Sequence, residues 1–90
     1  MFQYKVAYRM QMGAFFAEAL DFPDVTAFGP TMADARANLC QAMRYAAEKL
    51  LRRGQVLPLP DPDAPAADAY GVEFVGVVPT GDTQVRVQPI

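Results

Sequence analysis

Residues 2–12 alternate without a break. Phe2, Tyr4, Val6, Tyr8, Met10 and Met12 fall on one parity, and Gln3, Lys5, Ala7, Arg9 and Gln11 fall on the other. Strict period-two alternation over this length predicts a β-strand with one buried and one wet face. Gly13 supplies a tight turn, and Ala14 to Leu20 returns antiparallel, with apolar residues on both parities and Phe15 and Phe16 among them. Asp21-Phe22-Pro23-Asp24 ends that strand, because proline cannot donate to a ladder and aspartates favour turns. Val25 to Phe28 is a short third strand closed by Gly29-Pro30.

The period then changes. From Met32, the residues Ala35, Leu39, Ala42, Met43, Ala46 and Leu50 recur at helical spacing, while Arg36, Gln41, Arg44, Glu48 and Lys49 lie largely off that stripe. Thr31, with Asp34 three residues on, has the form of a capping box with a shortened acid. Arg52-Arg53 complement the helix dipole at its C-terminal end, and Gly54 is the natural residue just past it. Pro58, Pro60, Pro62 and Pro65 make residues 55–69 a linker. Residues 70–90 read as a strand from Tyr70 to Val78, a Pro79-Thr80-Gly81-Asp82 turn and a short edge strand from Thr83 to Val87. The expected class is α+β, in the order β-β-β-α-β(-β): an antiparallel three-stranded meander with one long helix on the even-numbered face of the first strand. The three parts are a core at 1–54, the linker at 55–69, and a C-terminal strand or hairpin at 70–90 that completes the sheet or is exchanged between subunits.

Composition narrows the chemistry. The 90 residues contain no histidine, no serine and no tryptophan. No Ser-His-Asp or Cys-His set can be assembled, and the commonest general base and metal ligand is missing. The one cysteine, Cys40, can form neither an intrachain disulfide nor a zinc set. It borders the apolar helix stripe as a packing residue, and a reduced, cytoplasmic setting is the expectation. There is no phosphate-binding glycine loop. No apolar run reaches the roughly 18 to 20 residues of a membrane span. No catalytic residue, cofactor or metal is expected. Charge is uneven: residues 1–54 carry seven Lys/Arg against five acids, and residues 55–90 carry Arg86 alone against five acids. An acidic segment on a weakly basic body fits a basic partner better than a nucleic acid.

Several segments in order carry a resemblance: Gly13-Ala-Phe-Phe-Ala, Asp21-Phe-Pro, Gly29-Pro-Thr31, Ala35, Asn38-Leu39, and Gly54 with Leu57-Pro58-Leu59-Pro60. Across residues 2–60 the chain resembles the HicB-like antitoxin family, whose N-terminal domain is a truncated ribonuclease-H-like β-β-β-α-β unit. The resemblance implies a module that binds and blocks a small basic HicA-type ribonuclease. The family often has Gly-Cys where this chain has Asp24-Val25, so a position that tolerates positive φ holds a residue less suited to it. HicB antitoxins commonly carry a C-terminal DNA-binding domain; residues 70–90 are strand-like and too short for one, so specific DNA binding is not carried over. Active ribonuclease-H folds also need a metal-binding carboxylate on the first strand. Met1 to Gly13 has no Asp or Glu.

Glu18, Asp21 and Asp24 are the candidate partner-binding acids; the plainer reading makes the aspartates turn residues and Glu18 a solvated side chain. Phe15, Phe16, Val75 and Val77 are the candidate interface of a homodimer or larger assembly, since apolar residues of both parities exceed what one helix can cover. A second class of function is weak RNA binding by Lys5 and Arg9 on the wet face of the first strand, where simple solvation is the commoner use of such residues.

Overall fold

A computed structural model describes residues 2–66 and 68–90. Five strands and one helix follow in the order β1 (Phe2–Gln11), β2 (Ala14–Ala19), β3 (Thr26–Gly29), α1 (Met32–Arg52), β4 (Gly71–Pro79) and β5 (Val85–Pro89). The strands form one sheet in the order β3-β2-β1-β4-β5, and every neighbouring pair is antiparallel. The expected α+β class, the meander and the helix on one sheet face are all present. No helix among the described residues is long and apolar enough to cross a membrane.

The alternation in β1 decides which face the helix covers. Tyr4, Val6 and Tyr8 are fully buried in one cluster with Leu39, Met43 and Ala47 of α1. Burying side chains of this size from water stabilises the fold by roughly 1.5–3 kcal/mol each. Phe2, at the rim, stays 37% exposed and stacks edge-on against Tyr4 at 5.9 Å. The helix stripe is rich in alanine (Ala35, Ala42, Ala46 and Ala47), which lets α1 lie close across the strands.

Local geometry explains the boundaries. Met12 and Gly13 both adopt positive φ, 51° and 80°, between the paired residues Gln11 and Ala14. That makes a two-residue type I′ hairpin. Thr31 caps α1: its hydroxyl oxygen accepts from the Asp34 N–H at 3.1 Å and its O–H donates to Asp34 Oδ2 at 2.9 Å. The short aspartate thus bonds the hydroxyl where a glutamate would reach back to the backbone. At the other end Gly54 N–H donates to Leu51 O and Gln55 N–H to Leu50 O, with Gly54 at φ 71°, a complete Schellman cap.

Gly29 sits where β3 meets the start of α1. A Cβ there would collide with the Ala35 backbone nitrogen and lie 2.7 Å from the Asp34 carbonyl carbon. The helix start and the strand end touch backbone to backbone.

Between α1 and β4 the described residues 55–66 and 68–70 form a strap. It is pinned at three points: Tyr4 O–H donates to Pro58 O at 2.6 Å, Asp61 N–H donates to Asp21 Oδ2 at 3.0 Å, and Lys5 Nζ donates to Ala64 O at 2.8 Å. Tyr4 belongs to the helix-covered face of β1 and Lys5 to the opposite one, so the strap rounds the sheet and crosses the second face. Ala7 and Ala64 are buried there, outside the main cluster. The strap also returns the chain to the far end of β1, where Tyr70 N–H donates to Tyr8 O. That return makes β4 antiparallel to β1.

The C-terminal hairpin completes the sheet within the same chain. β4 is central, between β1 and β5, as its two apolar faces require. The last strand begins two residues later than Thr83, because Thr80 N–H donates to Gln84 O and extends the turn.

Candidate partner-binding face

With α1 on one face, the other face of the sheet is covered only by the strap. Its exposed side chains come from the odd positions of β1 and their partners in register. Arg9 lies opposite Phe16, Ala7 opposite Glu18 and Val72, and Phe16 opposite Phe28. The Phe16 and Phe28 rings are 4.8 Å apart and tilted by 54°, and Phe28 is 55% exposed. Beside them Arg9 Nη1 donates to Glu18 Oε1 at 2.8 Å. The result is an aromatic pair bordered by a neutralised ion pair, with Val72, also exposed, across β1.

The three candidate acids are placed differently. Glu18 projects from the open face, held by Arg9. Asp24 is exposed in the β2–β3 turn at φ 63°, so the positive-φ position is real and an aspartate occupies it. Asp21 is turned to the strap, where its carboxylate accepts from Asp61 N–H. Glu18 and Asp24 share one end of the open face, and Asp21 anchors the strap at that end.

The apolar candidates divide as well. Phe16 lies on the open face, but Phe15 lies on the helix side, in register with Met10, with its ring 5.5 Å from Tyr70. Val75 and Val77, expected at an interface, are buried at 0% and 1% exposure in the chain's own core. Register is the reason: Val75 pairs with Tyr4 and Val77 with Phe2, so both point toward α1. The open face takes Val72, Phe74 and Val78 instead. Phe28 is a surface residue that the sequence does not single out, and Val72 is the exposed member of the apolar strand. Across the six-residue connection from 20 to 25, the register puts Phe28 directly opposite Phe16.

Glu73 is the inward-facing carboxylate, and it is fully engaged. Arg36 Nε and Nη2 donate to its two oxygens at 2.6 and 3.0 Å, and Tyr8 O–H donates to Oε1 as well. The Arg36 hydrogen bonds hold Glu73 below the usual glutamate range against the opposing effect of burial, with the Tyr8 hydroxyl helping. Burial, then Glu73, pushes Tyr8 upward. Tyr4 rises to about 12, through burial and the charge of Asp21. Burial also raises the Cys40 thiol, which keeps it protonated and a weak nucleophile. Among the described residues no three His, Cys, Asp or Glu come together to hold a metal. An ionised glutamate with its hydrogen bonds filled is a structural link between β4, β1 and α1, with little capacity as a proton acceptor.

No protein-family model matches the sequence, and no curated protein matches it. The three-dimensional comparison is informative. The crystal structure of the N-terminal domain of Burkholderia pseudomallei antitoxin HicB superposes with a TM-score of 0.72, covering 83% of this chain and 96% of that one at 22% identity. The fold is that of the HicB N-terminal domain. At this identity the likeness carries the backbone plan: the meander, the single helix and the returning strand. The shared scaffold spans 83% of this chain, and the open face and the strap are the features on which a specific role has to rest.

Proposed function

We propose that this chain is an antitoxin-type protein-binding module, or an orphan relative of one, that neutralises a small basic ribonuclease of the HicA kind by covering it. The observation that carries this reading is a HicB-like fold whose second sheet face, crossed only by the strap, joins an aromatic pair, half-buried Phe16 and exposed Phe28, to the Arg9–Glu18 pair and the exposed Asp24 at one end. A basic partner would be drawn to the acidic end and held by apolar contact at the rings. Steering of that kind mainly raises the association rate, whereas desolvated aromatic contacts set the lifetime of the complex. The module would act by binding alone, in reduced cytoplasm, without cofactor. β1 bears no carboxylate, and Glu73 is taken up by Arg36 and Tyr8. Lys5 and Arg9, the cations of the RNA-binding alternative, are both engaged within the chain, and no observation favours that reading.

The test is co-expression with a neighbouring small reading frame for a basic protein, scoring growth rescue and recovery of a complex. Two substitutions separate the contributions. Asp24→Asn keeps a residue suited to positive φ; it should slow association several-fold at low salt, with little effect at high salt. Phe28→Ser should leave association nearly unchanged and speed dissociation by about tenfold or more, the usual loss at an aromatic anchor. Rescue and binding indifferent to both changes would place the partner on another surface.

A further inference from the structure

A second concave site lies away from the open face. Phe22, Pro23 and Val25 of the β2–β3 turn and Ala46 and Leu50 of α1 enclose a groove of about 270 Å³, with Lys49 and Arg53 at its rim. The lining is mostly apolar, and both cations are exposed. Among the described residues neither has an ion-pair partner: the three ion pairs are Arg9–Glu18, Arg36–Glu73 and Arg44–Glu48. An apolar slot with two free cations calls for an apolar side chain followed closely by acids.

The strap carries that pattern. Leu59 is 82% exposed, lies between Pro58 and Pro60, and is followed by the exposed acids Asp61 and Asp63. Flanking prolines hold such a segment extended, so little conformational entropy is lost when it docks. It does not enter its own groove, for Leu57, Leu59 and Pro60 are absent from the lining. Groove and strap are nevertheless neighbours. Only Gly54 separates Arg53 from the strap, Phe22 of the groove packs on Tyr4 at 4.7 Å, Tyr4 holds Pro58, and Asp21 holds Asp61.

We propose that a second copy of this chain fills the groove: Leu59 of each protomer inserts between Phe22 and Leu50 of the other, with Asp61 and Asp63 against Lys49 and Arg53. Donor and acceptor lie at the same end of the molecule, so a single two-fold axis satisfies both contacts at once, as an isologous interface requires. The charges complement in each contact, two acids against two cations. The contact is small by the standard of stable dimers, which bury about 1,200 Å² or more. The dimer is therefore concentration-dependent, and it leaves the open sheet face free for another partner.

Sedimentation velocity over a concentration series tests this on the full chain. The wild type should pass from monomer to dimer as concentration rises through the micromolar range. Leu59→Asp, at an exposed position where folding is not at risk, should keep it monomeric throughout. Lys49→Glu should weaken the dimer tenfold or more, and adding Asp63→Lys in the same chain should restore it, because each contact regains an opposite pair. Circular dichroism should be unchanged for all variants. A wild type monomeric at every concentration overturns the proposal. So does a dimer that survives Leu59→Asp, or one that is lost on Phe28→Ser and not on Leu59→Asp, which would move the interface to the open face.

Discussion

Met12 holds φ 51° in the β1–β2 turn with its side chain fully exposed. A non-glycine residue there costs about 1 kcal/mol, and asparagine tolerates the left-handed region better than methionine. Met12→Asn should raise stability by about 0.5–1 kcal/mol in chemical denaturation, a gain typical of turn optimisation. Gly29 behaves oppositely. Its conformation is ordinary, but the space for a Cβ is occupied by the backbone of Asp34 and Ala35. Gly29→Ala must push the helix start away from β3 and should destabilise by about 1–3 kcal/mol, the range for overpacking.

The titratable residues of the core give the pH dependence its sign. Glu73 is held below its ordinary value of 4.5 in the folded chain. Its contribution is complete above that pH and disappears as pH falls through the lower folded value. Tyr8 is raised above 10.0, so its contribution is complete below pH 10 and declines as pH rises beyond it, when the unfolded chain releases the proton first. Denaturation midpoints across pH should show both limbs. Glu73→Gln should flatten the acid limb and Tyr8→Phe the alkaline one.

At the scale of elements, the sheet protects its edges with side chains of the helix. Asn38 Nδ2 donates to the Phe28 carbonyl of β3 at 2.8 Å, and Glu48 Oε2 accepts from Val85 N–H of β5 at 3.0 Å. That second bond is the main reason the Glu48 carboxyl lies below the usual range. Pro89 adds a position with no N–H to offer. Blunted edges of this kind resist strand addition. Glu48→Ala should accordingly raise the rate of aggregation on mild heating, read by light scattering, more than an exposed control such as Gln41→Ala.

The same scale shows what the sequence could convey. The middle of β1 was legible because one parity is apolar and the other polar, so burial of Tyr4, Val6 and Tyr8 followed from spacing, whereas Met10 and Met12 of the same parity are exposed and Ala7 of the other is buried. The helix was legible because Thr31 and Gly54 mark its ends. β4 was not. Val72, Phe74, Val75, Val77 and Val78 cover both parities, so nothing local says that Glu73 turns inward. That is fixed by Arg36 of α1, 37 positions away in sequence, and it sends Val75 and Val77 into the core. The engagement of Asp21 was hidden for a similar reason: a turn aspartate looks free until the strap presents its Asp61 N–H. Phe16 and Glu18 stand on the open face, as the mixed parity of β2 allows.

On the scale of the whole molecule, the strap does more than connect. A helix of this length ends at the opposite end of the sheet from where it begins, and a direct re-entry would run parallel to β1. Residues 55–70 carry the chain back along the second face, and the three pinning bonds fix that route. Tyr4→Phe removes the bond to Pro58 and should cost about 1 kcal/mol, the usual net value of one hydrogen bond. Hydrogen exchange should quicken in residues 55–61, with the helix core unchanged.

The strand order also places β1 in the middle of the finished sheet, with Phe2 paired to Val77 and Tyr8 to Gly71. During translation β1, β2, β3 and α1 emerge while one side of β1 has nothing to pair with. That bare backbone edge persists until the ribosome has added the strap and all of β4. The nascent chain is thus most adhesive in the interval between residues 54 and 79, and this sheet acquires its mature surface only once β4 has followed the strap.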